Sequence, residues 1–320
     1  MPKATKRKTL PIEPIKKGKS IEIIMNVLLY SKHLNPEQKE TIRFFINALS
    51  QKKAFQIWAT GHFYEYLKVN QLISDDICLF EEGDDLKAIG IRMVLTLGGD
   101  GTVLSAVEIV KDSGIPILGV NMGRLGFLTT ADTGKITRLI DVLDREAFKV
   151  EKRTLLSLES NLPIFNGIQY ALNDFTILKR DTSSMITIHT YINGEFLNSY
   201  WADGIILCTP TGSTGYSLSC GGPIVFPNSE TFVLTPVAPH NLNVRPLVIP
   251  DTSILSFEVE SRTENVLCTL DARYETIRNN YQLAVKKADF SIHLVQLNDR
   301  SFLHNMRDKL RWGLDTRNRG

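Results

Sequence analysis

The chain has 320 residues, a net charge of +2 and four cysteines, with 43% hydrophobic and 22% charged residues. This length suits one large domain or two smaller ones with buried cores, and the composition is that of an ordinary globular protein. No apolar run approaches the ~20 residues of a bilayer-spanning helix, the first residues lack a signal-peptide core, and no cysteines have zinc or C-x-x-C spacing.

These absences predict a cytoplasmic protein with free thiols and no membrane partner. The first 20 residues nevertheless carry seven basic residues and one acid, a local charge of +6. Prolines at positions 2, 11 and 14 interrupt helices, and apolar residues are few. We therefore predict a basic disordered leader over 1–20, with a nucleic-acid-binding tail as the less favoured alternative, and a folded chain that begins near Met25.

Residues 21–150 alternate between strand and helix patterns. Strands are predicted over 21–30, 55–59, 91–97 and 115–120, and helices over 36–50, 62–69 and 102–111. Such alternation indicates a parallel sheet covered by helices. The sequence thus predicts an α/β N-terminal domain over 21–150, whose ligands lie beyond the carboxyl ends of the strands.

Residues 151–300 have a different pattern, in which short β-branched runs are separated by turns. Strands are predicted over 155–159, 169–178, 185–192, 204–209, 253–259 and 266–270, and Asn193-Gly194 is a strong hairpin signal. This predicts an antiparallel all-β, sandwich-like C-terminal domain over 151–300. A helix over 301–312, with Phe302, Met306 and Leu310 on one face, predicts that the tail 301–320 packs on the N-terminal domain.

A first glycine-rich segment, Leu97-Gly98-Gly99-Asp100-Gly101-Thr102, lies where a predicted strand runs into a helix. Glycines allow a tight turn and a close approach of a ligand to the backbone, and Thr102 is the expected N-cap. A carboxylate is a poor phosphate ligand but a good partner for a hydroxyl. Asp100 is therefore a candidate for handling an acceptor alcohol; the alternative is a helix-capping aspartate.

A second glycine-rich segment runs from Thr209 to Pro223, directly after a predicted strand and just downstream of Asp203-Gly204. Its backbone N–H groups and hydroxyls are suited to an anion. The alternative is an ordinary glycine-rich turn, and neither a Walker loop nor a G-x-G-x-x-G dinucleotide fingerprint is present. Two such segments in one chain favour nucleotide binding.

At these residues the sequence resembles the NAD kinase family. The family's motifs correspond here to Gly98–Thr102, Asn121–Leu128, Asn173-Asp174 and Asp203–Pro223, and the resemblance runs from about Met25 to the end. It implies transfer of the ATP γ-phosphoryl to the 2′-hydroxyl of the adenosine ribose of NAD, with Mg²⁺ arriving with ATP, and a homodimer or homotetramer. Two alternatives remain open: a diacylglycerol-type lipid kinase, which shares the first motif, and a nucleotide-binding regulator without catalysis.

The resemblance also implies residue roles. Asp100 would accept the hydroxyl proton, Asn173 and Asp174 would bind ribose hydroxyls, and no protein metal site is expected. Other implied binding residues are Gly101, Phe127, Trp201, Asp203, Thr214, Gly215, Tyr216, Ser217, Leu218, Ser219, Ala238 and Arg273. Among these, Tyr216 would offer its ring to a base, and Ala238 would lie near a subunit boundary. Trp201 replaces a basic residue common in relatives, and Arg273 replaces a glutamine and is expected to pair with phosphate.

Overall fold

A computed structural model describes residues 25–32, 35–73, 76–123, 126–180, 184–263, 265–297 and 301–310. The predicted leader 1–20, the start of the first predicted strand and the end of the last predicted helix lie outside the described residues. Arg124 and Leu125 of the segment Asn121–Leu128 also lie outside them.

The first half is an α/β unit, as the alternating pattern predicts. Its strands are β1 Met25–Tyr30, β2 Phe55–Thr60, β3 Ile77–Phe80, β4 Ile91–Gly98, β5 Ile117–Asn121 and β6 Thr129–Asp132. Its helices are α1 Lys39–Ser50, α2 Gly61–Val69, α3 Leu86–Ile89, α4 Asp100–Val110 and α5 Ile136–Asp144. The parallel strands lie in the order β5-β4-β1-β2-β3. Helices cover both faces, since α1 and α5 pack on Val27 and Leu29 while α4 packs on the opposite face beside Leu28.

Helix α4 begins two residues earlier than the sequence predicts. Gly99 is its N-cap, and the N–H of Thr102 already donates to the carbonyl of Gly99 at 3.0 Å. Thr102 is buried inside the first turn, so its predicted capping role is wrong. Asp100 is consequently the first residue of the helix, at the carboxyl end of β4.

The second half is rich in antiparallel strands. They are β7 Phe148–Ser160, β8 Tyr170–Ala171, β9 Asp174–Lys179, β10 Ile186–Ile192, β11 Glu195–Ala202, β12 Gly204–Cys208, β13 Thr231–Val237, β14 Leu247–Pro250, β15 Leu255–Glu260, β16 Asn265–Leu270, β17 Arg273–Arg278 and β18 Leu283–Leu297. A sheet ordered β14-β13-β12-β9-β16-β17 packs face to face on β7, β10, β15 and β18, with Phe175 and Phe257 in the shared core. The predicted sandwich is therefore present, and the Asn193-Gly194 hairpin joins β10 to β11.

The two halves share one sheet, which the sequence does not predict. Strand β18 pairs along its length with β7 and meets β5 in parallel at Leu294 and Ile117. One sheet of twelve strands within the described residues thus contains both the parallel strands and β7, β8, β10, β11, β15 and β18. This continuous sheet fixes the second glycine-rich segment relative to Asp100.

Helix α6 is the single turn Tyr216–Ser219, and the C-terminal helix α7 runs over Phe302–Leu310. The ring of Phe302 lies 5.3 Å from that of Phe226, and Asn305 and Met306 are buried. None of the helices described here is long and apolar enough to cross a membrane.

Candidate active site

Asp100 is held by the backbone of a neighbouring segment. Its carboxylate accepts the N–H groups of Phe127 at 2.8 Å, Leu128 at 3.0 Å and Thr129 at 3.3 Å. A Cβ at Gly126 would stand 1.8 Å from Asp100 Oδ1, so only glycine allows this approach. A carboxylate offers about four acceptor positions; these three N–H groups fill three of them and leave one on Oδ2.

The N-terminus of α4 opens onto a cavity of about 320 Å³. Gly98, Gly99, Gly101 and Thr102 line it on one side and Asn121–Gly123 on the other. The N–H groups of a helix's first turn, together with its dipole, favour an anion. The cavity at the Asp100 turn is therefore suited to the phosphates of a nucleotide.

Asp271 organises the Asn173-Asp174 pair. Its carboxylate accepts the N–H groups of Leu172 and Asn173, each at 2.7 Å, and that of Asp174 at 3.1 Å. These bonds interrupt the predicted continuous strand 169–178, which is divided into β8 and β9. Sequence reasoning did not identify Asp271 as a site residue, because its partners lie almost a hundred positions away; its position directly after a strand was the available signal.

Asp174 is buried and Asp271 is half-buried, and burial disfavours the charged form of a carboxyl. Burial and, secondarily, the charge of Asp271 raise the pKa of Asp174 to about 7. Burial also raises the pKa of Asp271 to about 6, against the lowering effect of the three N–H groups. Near neutral pH, Asp174 is thus partly protonated and can donate as well as accept a hydrogen bond.

A second cavity, of about 260 Å³, lies beside this pair and is lined by Asn173, Asp174, Tyr216 and Leu104. Leu104 lies one turn after Asp100 on α4, so this helix borders both cavities. Asn173 Oδ1 is buried without a partner among the described residues, which leaves an acceptor free for a ligand. Tyr216 is 41% exposed and offers its ring to this space.

The second glycine-rich segment passes directly over Asn173. The N–H of Thr209 donates to the carbonyl of Asn173 at 2.9 Å, and a Cβ at Gly212 would stand 2.0 Å from that oxygen. Ser217 is buried with its hydroxyl 2.8 Å from that of Thr235, whereas Ser219 is exposed. Thr214, Gly215 and Leu218 are half-buried. The segment thus adjoins the ribose-binding candidates.

Three further predicted residues lie together at the ends of β11 and β13. Asp203 forms an ion pair with Lys179 at 2.6 Å, and the half-exposed ring of Trp201 lies 4.3 Å from that of His240. Ala238 is exposed and has a positive φ of 44°. Strand β13 ends at Val237 and β14 begins only at Leu247, so Ala238 and His240 lie in the loop between them.

Arg273 contacts protein groups. Its guanidinium donates to the carbonyls of Ile168, at 2.6 Å, and Tyr170 and lies 3.5 Å from Glu108 Oε1. These contacts join the second half to α4. The expected phosphate contact of Arg273 stays a prediction.

Lys309 is a residue near Asp100 that sequence reasoning missed. Its Nζ lies 3.7 Å from Asp100 Oδ2 and 4.5 Å from the centre of the Phe127 ring. Nothing in the local sequence around Lys309 pointed to Asp100, which lies more than two hundred positions earlier.

Comparisons with known proteins match both halves. A family model for the ATP-NAD kinase N-terminal domain matches residues 34–146, and one for the ATP-NAD kinase C-terminal domain matches residues 172–297. An NAD kinase of Cytophaga hutchinsonii is 45% identical over 294 residues, covering 91% of this chain and 100% of the relative. An NAD kinase of Flavobacterium psychrophilum is 45% identical over 273 residues, covering 85% of this chain and 92% of the relative.

Solved structures show the same fold. Yeast NADH kinase complexed with NADH superimposes with a TM-score of 0.81 at 24% identity, covering 92% of this chain and 89% of the other. An NAD kinase from Archaeoglobus fulgidus in complex with ATP superimposes with a TM-score of 0.64 at 23% identity, covering 90% of this chain and 99% of the other.

Proposed function

Because the chain belongs to the NAD kinase family, we propose that it transfers the γ-phosphoryl of ATP to the 2′-hydroxyl of the adenosine ribose of NAD, giving NADP. The observation that carries this proposal is the position of α4. The helix presents Asp100 beside a cavity of about 320 Å³ at its N-terminus and, one turn later, borders the cavity at Asn173 and Asp174. A reacting carboxylate thus adjoins places for both substrates.

In the proposed reaction, Asp100 orients the ribose hydroxyl and accepts its proton. The hydroxyl oxygen forms a bond to the γ-phosphorus, the bond from that phosphorus to the bridging oxygen breaks, and ADP leaves. In a loose transition state the nucleophile loses its proton late, so positioning dominates. The three N–H bonds to Asp100 support this role, since they fix the carboxylate without filling the last acceptor position on Oδ2.

We assign the acceptor's binding to the second cavity. Asn173 and Asp174 are suited to ribose hydroxyls, because one has a free buried acceptor and the other titrates near neutrality. Tyr216, within the segment Thr214–Ser219, is suited to stacking on a base. Gly101 lines the first cavity and Phe127 lines a neighbouring one, from which they would contact the substrates. Trp201, Asp203 and Ala238 form a more peripheral group. For Arg273, the observed contacts favour a role in holding the second half on α4.

Mg²⁺ is proposed to enter with ATP. In the part of the chain that the structure describes, no cluster of three or more His, Cys, Asp or Glu side chains could hold a metal by itself. The single carboxylate of Asp100 beside the cavity at the N-terminus of α4 fits a cation that is held mainly by the nucleotide's phosphates. The ion would offset the negative charge of those phosphates during the transfer.

We further propose that the chain works as a homodimer or homotetramer in the cytoplasm. Ala238 and the adjacent Trp201 and His240 rings, exposed together on one edge, suit a subunit boundary. The comparisons give no support to the lipid kinase or to the silent regulator.

The direct test is to incubate the protein with ATP, Mg²⁺ and NAD and to measure NADP. NADP formation that requires all three supports the proposal. Absence of NADP, with phosphorylation of diacylglycerol under the same conditions, would favour the lipid kinase. Binding of NAD and ATP without any transfer would favour the regulator.

A further inference from the structure

The C-terminal helix α7 is fixed by its first two turns and carries a lysine to Asp100 with its last. Phe302 contacts Phe226 in the loop after the second glycine-rich segment, and Asn305 and Met306 are buried. Lys309 therefore extends from an anchored helix. The same helix borders a cavity of about 250 Å³ that Phe127 and Thr214 also line.

Lys309 Nζ is located by two contacts. It lies 3.7 Å from Asp100 Oδ2 and 4.5 Å from the centre of the Phe127 ring, within the range of a cation–π interaction. The N–H of Phe127 donates to the same Oδ2. The ammonium thus stands on the side of Asp100 where the last acceptor position is open.

Stability gives little reason for this arrangement. The side chains of Lys309 and Asp100 are 32% and 27% exposed, and partly exposed ion pairs contribute little to folding. In phosphoryl transfer, by contrast, charge is spread over the equatorial oxygens of the moving group, and a positioned cation lowers the barrier. An ammonium supplies a compact charge with three donors.

We propose that Lys309 is a further catalytic residue, whose ammonium contacts an oxygen of the γ-phosphoryl group while Asp100 holds the acceptor hydroxyl. The oxygen–phosphorus bond forms at the hydroxyl, the bond to ADP breaks, and the hydroxyl proton passes to Asp100 and then to water. Lys309 transfers no proton in this step. When substrates bind, the Lys309 ammonium leaves Asp100 and contacts the phosphoryl oxygen instead. This inference rests on the proposed kinase function.

The test compares Lys309→Met, Lys309→Gln and Lys309→Arg in the full chain, with Arg307→Met as control. Arg307 is exposed on the same helix, so its substitution makes the same change of charge away from Asp100. We expect kcat for NADP formation to fall about 10²-fold in the Met and Gln variants. The Arg variant should retain most of the rate, and the control should match the wild type. The affinity for ATP should fall more than that for ADP, because only ATP carries the γ-phosphate.

Each outcome distinguishes this inference from the proposed function. If the wild type forms no NADP, the proposed function fails and the inference fails with it. If the wild type forms NADP and the neutral variants turn over at its rate, Lys309 is not catalytic. A rise in kcat would also overturn the inference, because Lys309 would then be a restraint on Asp100. If Lys309→Met lowers the unfolding temperature, kcat of the polar variant Lys309→Gln is compared with that of the wild type instead.

Discussion

Asp271 and Asp174 are joined by two hydrogen bonds of opposite direction. The carboxylate of Asp271 accepts the N–H of Asp174 at 3.1 Å, and the N–H of Asp271 donates to the carbonyl of Asp174 at 2.9 Å. Asp271 adopts a positive φ of 54° to do so. The residue proposed to hold the ribose is thus fixed through its backbone, which leaves its side chain free for a ligand.

Replacing Asp271 by Asn should destabilise the protein by about 1–3 kcal/mol, since a buried amide would leave backbone donors poorly paired. The KM for NAD should rise as the Asn173-Asp174 pair shifts, with a smaller change in kcat. Thermal unfolding and steady-state kinetics measure the two effects. Asp203→Asn is the control, because it makes the same Asp-to-Asn change at a carboxylate that holds no backbone N–H groups of the Asn173-Asp174 pair. If both variants lower the unfolding temperature equally, the role assigned to Asp271 is contradicted.

The buried Asp174 predicts a pH dependence of stability. An aspartate has a pKa near ~3.9 in an unfolded chain, and burial raises that of Asp174 to about 7 in the folded protein. The folded state therefore binds more protons between these values, so its stability falls as the pH rises through this range. Asp174→Asn is uncharged at every pH and lacks this contribution. The unfolding temperature of the wild type minus that of the variant should fall between about pH 4 and pH 7; parallel curves would refute the assignment.

Gly126 is predicted to be essential because of Asp100. A Cβ there would stand 1.8 Å from Asp100 Oδ1 and 2.7 Å from Thr129 Oγ1, so Gly126→Ala must displace the carboxylate or the segment that holds it. We expect a large loss of kcat in the NADP assay. Gly61→Ala is the matched control, since nothing lies within 4 Å of its Cβ. A Gly126→Ala enzyme as active as this control would show that the hydrogen bonds to Asp100 are dispensable.

Local patterns in the sequence predict the elements that carry the site. The apolar run of β4 and the glycines around Asp100 indicate a strand-to-helix turn, and the structure has one. The cap was misassigned because glycine can fill the N-cap position as well as threonine. The sequence predicts two separate domains, but β18 of the second half pairs with β5 of the first. This pairing joins residues far apart in the sequence, so local patterns do not indicate it.

Relationships between distant residues could not be predicted in this way. The role of Asp271 depends on N–H groups of a different strand, and the place of Lys309 depends on how α7 crosses the molecule. Periodicity assigns a residue to a face, but it does not identify the group opposite that face. Both residues therefore emerged only from the structure.

Asp100→Asn isolates the step in which the Asp100 carboxylate accepts the proton of the acceptor hydroxyl. The variant keeps the size of the side chain but removes the basic oxygen next to the open acceptor position. NADP formation should be measured by rapid mixing with ATP, Mg²⁺ and NAD, alongside NAD binding by calorimetry and thermal unfolding. We expect a loss of about 10²–10⁴-fold in kcat, with NAD binding and unfolding temperature close to those of the wild type. A variant that folds, binds NAD and forms NADP at the wild-type rate would contradict it.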